Sequence, residues 1–263
     1  MRLPAGEHVA AYRRDGFVVI DGFLDSDELA RWRSATEAAV AERLVAGDLG
    51  SGDEYYRRTF LQLQRLADTN AVIAELVLDR RLGEIVATLA GVDGVRVWHD
   101  QALIKPPYGN PTAWHLDNPF WSFSSHDAIS IWVALDDATL ENGCLWYLPG
   151  TQRSARFELT EIGSSLGALF DAYPEWLDIE PVAAPCAAGG AIFHNGLVAH
   201  AAGANMTPRS RRAMTCAYMP RGSTFNGTQN ILPDAYAASL EVGDVLDDDE
   251  INPLVYQSAS RPD

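Results

Sequence analysis

The chain has no run of about 18 consecutive apolar residues, which excludes a membrane-spanning helix. Its first fifteen residues carry charge and lack an apolar stretch, so they read as neither signal peptide nor anchor, and a cytoplasmic protein is expected. Cysteine is scarce. Cys144, Cys186 and Cys216 are odd in number, far apart and set in apolar sequence, which favours reduced core thiols over a disulfide frame or a zinc ribbon. Basic residues are also in deficit: 20 Lys and Arg face 36 Asp and Glu, a net charge of −16. That excludes a general nucleic-acid binder, which must neutralise phosphates. A small anionic ligand stays open, because charges beyond about 8 Å are largely screened and the local charge of a pocket decides. Arg209, Arg211, Arg212 and Arg221 are close enough in sequence to make one pocket positive. No internal repeat or low-complexity tract is present.

What is there is a globular composition, with 47% hydrophobic and 10% aromatic residues in 263, a length that suits one large domain. A short apolar strand at 17–20 follows a polar entry. Asp25 or Ser26 then caps a helix with Glu28 in its first turn, and Leu29, Trp32, Thr36, Ala39, Val40 and Arg43 fall near helical spacing. Gly47 to Gly52 end it. Residues 54–68 show no clean period and read as loop and strand. Asn70 caps a second helical region of two amphipathic pieces, broken near Asp79 and stopped at Gly91. These helices, over about 25–91, are expected to buttress a sheet. From Val95 the pattern changes to short β segments at 95–104, 113–117, 128–135, 144–148, 190–194 and 211–219, the mark of a sandwich or barrel core over about 95–220. Residues 154–188 look like an insertion of the kind that forms a lid or binding loop. The acidic tail, 232–263, with Asp247, Asp248, Asp249 and Glu250 in a row, reads as solvated and partly mobile.

The chemistry centres on Trp114, His115, Leu116, Asp117. In an extended chain His115 and Asp117 face one way while Leu116 packs behind them, giving one nitrogen and one oxygen donor. The bland alternative is a pair of structural histidines and a turn aspartate. Two ligands hold a metal weakly, and the best distant third is His200. Two histidines and one carboxylate with open positions suit non-haem Fe(II) and O2. His194 is a rival third ligand, although Gly196 makes an unbroken strand from 194 to 200 doubtful; His99 and His126 are left outside the metal shell. Arg211 follows His200 at a distance that allows the chain to turn and return on a neighbouring strand. There a guanidinium can hold a dicarboxylate, 2-oxoglutarate, whose keto-acid end chelates the iron. Arg209 and Arg212 are alternatives, but along a strand Arg211, Ala213 and Thr215 share one face and Arg212 the other. Trp114, Phe120, Trp121, Phe123, Trp132 and Trp146 cluster near the proposed metal. Core packing is their default, and the faces of Trp114, Phe120 and Trp121 could also stack on sugar rings or other flat substrates.

With these residues in view the chain resembles the phytanoyl-CoA dioxygenase family of Fe(II)- and 2-oxoglutarate-dependent oxygenases, which includes ectoine hydroxylase. The similarity runs from Tyr12, Arg13, Arg14, Asp15, Gly16, Phe17 to beyond Arg211. It is carried by Lys105, Pro106, Pro107; by Trp114, His115, Leu116, Asp117; by Asn142, Gly143, Cys144, Leu145 with Leu148, Pro149, Gly150, Thr151; and by His200, Asn205 and Arg211. The resemblance implies a mainly β fold with flanking α-helices and a double-stranded β-helix (jelly roll, cupin-like) core. It implies His115, Asp117 and His200 on iron, Arg211 on the far carboxylate of 2-oxoglutarate, and Trp132 and Gln101 as further cosubstrate contacts. Some relatives carry a hydroxyl residue two positions after the distal histidine; here that position is Ala202, and Thr215 is the candidate replacement.

The expected activity is an O2-consuming dioxygenase that hydroxylates or oxidatively cyclises a small molecule. Acyl-CoA is disfavoured because no basic run marks a phosphate site, and the aromatic cluster leans toward a secondary metabolite such as a glycoside antibiotic. The rival classes are a non-catalytic jelly-roll module that binds sugar or another small ligand, and a zinc hydrolase. The intact set of three donors and Arg211 argues against the first, and the second leaves Arg211 without a role.

Overall fold

The computed structural model describes residues 1–50 and 54–259; Gly52, at the end of the expected helix stop, and the last four residues of the tail lie outside them. Local signals account for most of the helices. Helix α1 (Gly6–Asp15) fills what read as a polar entry, and it ends at Gly16, whose φ of 83° and close approach to Gln152 and Val198 leave no room for a side chain. Strand β1 (Phe17–Ile20) follows as expected. At α2 (Ser26–Val45) the Asp25 carboxylate accepts from the amides of Asp27 and Glu28 at 3.0 and 2.9 Å, and Glu28 accepts from the Asp25 amide at 3.2 Å, a reciprocal cap. The 54–68 stretch differs from its reading: it holds helix α3 (Glu54–Thr59) before strand β2 (Leu61–Gln64). Asn70 caps α4 (Ala71–Val77), Asp79 caps α5 (Arg80–Ala90), and Gly91 closes α5 at a φ of 78°.

Nine more strands complete the core: β3 (Gly94–Lys105), β4 (Thr112–His115), β5 (Ile129–Ala134), β6 (Leu145–Tyr147), β7 (Val182–Ala184), β8 (Ala191–Asn195), β9 (His200–Ala202), β10 (Arg211–Pro220) and β11 (Leu254–Gln257). They form two antiparallel sheets, the larger in the order β1-β8-β5-β10-β3-β11 with β2 also paired to β3, the smaller in the order β4-β9-β6-β7. This is the jelly-roll core with flanking helices. Strand alternation divides the larger sheet into two faces. Ile131, Val133, Phe193, Met214 and Cys216 turn outward onto Trp32, Ile73, Leu82 and Ile85 of the helices. Trp132, Ile192 and Ala213 turn inward to meet Leu145, Tyr147 and Ala202 of the smaller sheet.

Two segments carry more structure than their reading gave, and the first of them also sends Ile162 into the wall of the cavity between the two sheets. The 154–188 insertion carries a short helix, α6 (Leu169–Ala172), and β7, and its Leu169, Tyr173 and Trp176 pack on Leu116, Leu148 and Leu197. The acidic tail is docked. After α7 (Asp234–Ala237), β11 pairs with β3, and Leu246 and Asn252 are buried. The exposed acid run is tied down by Arg96, whose Nη1 donates to Asp249 at 2.6 Å and to the Asn252 carbonyl at 2.8 Å.

Candidate active site

Strand β4 stops at His115, two residues short of the expected end. Asp117 has helical backbone angles, φ −79° and ψ −49°, at the start of a one-turn 3-10 helix (Asn118–Phe120). The common facing of His115 and Asp117 therefore comes from a strand running into a tight turn, not from strand alternation. The amides of Asp117 and Asn118 both donate to the Gly196 carbonyl, at 3.1 and 2.9 Å, which fixes that turn against the chain leading to β9. On β9 His200 stands directly opposite His115. The result brings the three predicted donors together, with ligand atoms all within 4.8 Å of one another. Asp117 Oδ1 is 3.6 Å from His115 Nε2 and 3.7 Å from His200 Nε2.

Hydrogen bonds prepare these groups for a cation. His115 Nδ1 lies 2.8 Å from the Ala113 carbonyl and His200 Nδ1 3.1 Å from the Val198 carbonyl. A carbonyl only accepts, so each Nδ1 carries the hydrogen and each Nε2 offers its lone pair. Burial keeps both rings neutral; His200 is pushed down to about 3, with His115 adding to the effect. Burial alone would raise the Asp117 carboxyl, but His200, His194 and His115 together outweigh it and hold the group well below the usual carboxylate range. His194, the rival donor, engages the carboxylate and a hydroxyl through its two ring nitrogens. Its Nε2 sits 3.2 Å from Asp117 Oδ2, and its Nδ1 accepts from the Tyr147 hydroxyl at 3.1 Å. Gly196 does interrupt the strand, β8 ending at Asn195 and β9 starting at His200.

The donors open on a cavity of about 360 Å³ between the two sheets. Arg211 lines it, 97% buried, with Nη2 donating to the Gly143 carbonyl at 3.1 Å and the guanidinium 5.0 Å over the Trp132 ring. Its Nε has no partner. Arg212 faces outward to Asp136, and Arg209 is exposed, so neither takes the inward position. Gly143 must be glycine, because at φ 91° a Cβ would stand 2.6 Å from the Gly203 carbonyl. Gln101, Trp132, Thr215, Phe120 and Trp121 also line the cavity. Trp114 does not line it. It lies on the other side of β4, 6.2 Å from Phe170, because His115 takes the inward direction.

Several lining residues escaped the sequence reading: Tyr56 and Phe60 of α3, Gln62 and Gln64 of β2, Thr112, Ser130 and His99. For His99 the signal was available, since it shares a strand face with Gln101. Burial pulls it down to about 4, so it stands in the wall as a neutral imidazole. Tyr56, Gln62 and Gln101 form a hydrogen-bonded row, Tyr56 donating to Gln62 Oε1 at 2.9 Å and Gln62 donating to Gln101 Oε1.

A two-histidine, one-carboxylate set with neutral nitrogens fits Fe(II), and a buried guanidinium with an unpaired Nε fits the far end of an anionic chelator. Residues 12–213 match the phytanoyl-CoA dioxygenase family. The chain belongs to this family. Among family proteins, the domain-containing protein 1 of Bos taurus is 26% identical over 275 residues, covering 84% of this chain and 92% of its own. Two solved structures from nogalamycin biosynthesis align along nearly the whole chain. The α-ketoglutarate-dependent carbocyclase SnoK is 27% identical with a TM-score of 0.78, covering 96% of this chain and 97% of its own. The α-ketoglutarate-dependent epimerase SnoN is 26% identical with a TM-score of 0.74, covering 95% and 98%. Like its relatives, this phytanoyl-CoA dioxygenase family member is an Fe(II)- and 2-oxoglutarate-dependent dioxygenase.

Proposed function

We propose that His115, Asp117 and His200 hold the iron, that Arg211 binds the far carboxylate of 2-oxoglutarate with Trp132 and Gln101 beside it, and that the substrate is a small secondary metabolite. The observation that carries the reading is the unpaired Nε of a buried Arg211 in the same cavity as the three donors; a buried cation calls for an anion. When bound, Fe(II) with 2-oxoglutarate and O2 supplies oxidising power, one oxygen atom leaving in succinate as CO2 is released and the other serving to oxidise a substrate carbon. The protein holds and shields. Asp117 would offer Oδ1 to a cation, because His194 and, at 3.4 Å, the Ser130 hydroxyl hold Oδ2. Gln101 accepts from Gln62 through its oxygen, which leaves its amide nitrogen to donate to a bound anion. Tyr56, Phe60, Phe120 and Trp121 exclude water from the open side.

The wall supports a neutral, partly aromatic or glycosidic substrate, hydroxylated or oxidatively cyclised. Its polar groups besides the metal set are amides, hydroxyls, indoles, His194 and the neutral His99, and Arg211 is the one Lys or Arg among the described lining residues. An acyl-CoA would find no cation for its phosphates. SnoK and SnoN, which work in nogalamycin biosynthesis, support an antibiotic precursor. The whole chain is proposed to work as one domain, in the cytoplasm, where its three buried free thiols stay reduced. The test is anaerobic loading with Fe(II) and 2-oxoglutarate, then O2, with succinate measured in wild type and Asp117→Ala. Succinate is expected from wild type alone, and equal amounts from both would remove the metal assignment. Glycosidic precursors added to the wild type are expected to raise succinate yield with an oxidised product.

A further inference from the structure

Arg211 Nε is not the only polar atom in this cavity without a partner. The Thr112 hydroxyl is buried and also unpaired, on a side chain more than nine-tenths buried in the same wall. A buried hydroxyl with no acceptor costs stability comparable to a lost hydrogen bond; His99 Nδ1 is unpaired in the same cavity as well, and the hydroxyl and the guanidinium, both donors, point to an absent acceptor. Strand alternation alone would turn Thr112 away from the side that His115 faces. The irregular register of β4 against β9 between Thr112 and His115 adds the extra residue that lets both face inward. Thr112 then stands directly opposite Ala202, which is itself paired to Leu145. Arg211 reaches the same place from the larger sheet, its Nη2 on the carbonyl of Gly143, two residues before Leu145. Ala202 has no polar group to offer there, so the strand opposite provides the hydroxyl.

We infer that Thr112 donates the second hydrogen bond to the far carboxylate of 2-oxoglutarate, beside Arg211. This rests on the cofactor assignment above. Thr215 lines the cavity from the opposite sheet, and its hydroxyl is not enclosed as the Thr112 hydroxyl is, so it carries no comparable unmet demand for an acceptor. The carboxylate therefore lies between the two sheets, held by a cation from one and a hydroxyl from the other.

The test is calorimetric binding to the Mn(II)-loaded protein without O2, using 2-oxoglutarate and 2-oxopentanoate, which keeps the keto acid but lacks the far carboxylate. Thr112→Val, which keeps the side chain's shape, is expected to weaken 2-oxoglutarate binding by roughly tenfold or more and to leave 2-oxopentanoate within about twofold. Thr112→Ser, which keeps the hydroxyl, is expected to bind both ligands within about twofold of wild type. Loss of both ligands in Thr112→Val would mean a packing role and would overturn the inference. So would unchanged 2-oxoglutarate binding in Thr112→Val, or a selective loss in Thr215→Val instead. A wild type that binds no 2-oxoglutarate would remove the cofactor assignment itself.

Discussion

Lys105 is the one lysine in the chain, and it is fully buried. It stands opposite Arg211 across β3 and β10, with Nζ donating to the carbonyls of Thr59 at 3.2 Å and Asn110 at 2.5 Å. Burial first, and the Arg211 charge second, pull it down to about 7. A neutral amine still has two N–H groups for two carbonyls, so the loss of charge sacrifices neither hydrogen bond. The unfolded chain keeps this proton up to the ordinary lysine value of 10.5, while the folded chain releases it near 7. Between those values the unfolded state binds more protons, so stability from this group rises with pH and is lost as pH falls through 7. Urea midpoints at pH 7 and pH 9.5 are expected to increase more in wild type than in Lys105→Met; parallel changes would remove the claim.

At the scale of elements, Gly83 shows packing overriding propensity. It lies inside α5, where glycine is normally worth about 1 kcal/mol less than alanine. A Cβ there would stand 2.7 Å from Val255 Cγ1 and 2.8 Å from Tyr256 Cβ, so the bare backbone is what lets β11 lie against the helix. Gly83→Ala is accordingly expected to lower thermal stability, by about 1–3 kcal/mol for an overpacked contact, instead of raising it. A melting temperature equal to or above wild type would contradict the packing. The same contrast explains which elements were legible from sequence. Caps at Asp25, Asn70, Asp79 and Gly91 are local chemistry, and the helices they bound were readable. Strand β11 and the tail's burial depend on β3, far away in the chain, and no local pattern announces such a partner. Helix α3 is too short to hold by itself and forms where Tyr56 and Phe60 meet the cavity wall. In the site, His115, Asp117, His200 and Arg211 were legible because donor chemistry narrows the choice. Thr112 was not, because its direction is set by the register of β4 on β9. Trp114 is next to the donors in sequence but across β4 from them in space, a side that sequence nearness does not reveal.

Over the whole molecule, the sheets and not the cation hold the site's shape. The larger sheet is braced by helices on one side, the smaller by the 154–188 insertion, and the tail closes the β3 edge. The excess of negative charge lies on this frame's surface, whereas the cavity's own fixed charges are Asp117 and Arg211. Loss of metal is therefore expected to leave the fold in place. Treatment with a chelator should lower the melting temperature by no more than the linkage of metal binding allows and leave the circular dichroism spectrum unchanged, and added Fe(II) should restore activity without refolding. Unfolding on chelation would contradict this. The Gly196 carbonyl explains why: by accepting from both Asp117 and Asn118 it staples the two stretches that carry the proposed ligands through peptide groups. The apoprotein is thus a ready-made receptacle, and exchanging its ion is an event of loading and unloading, with no chain reorganisation to slow it.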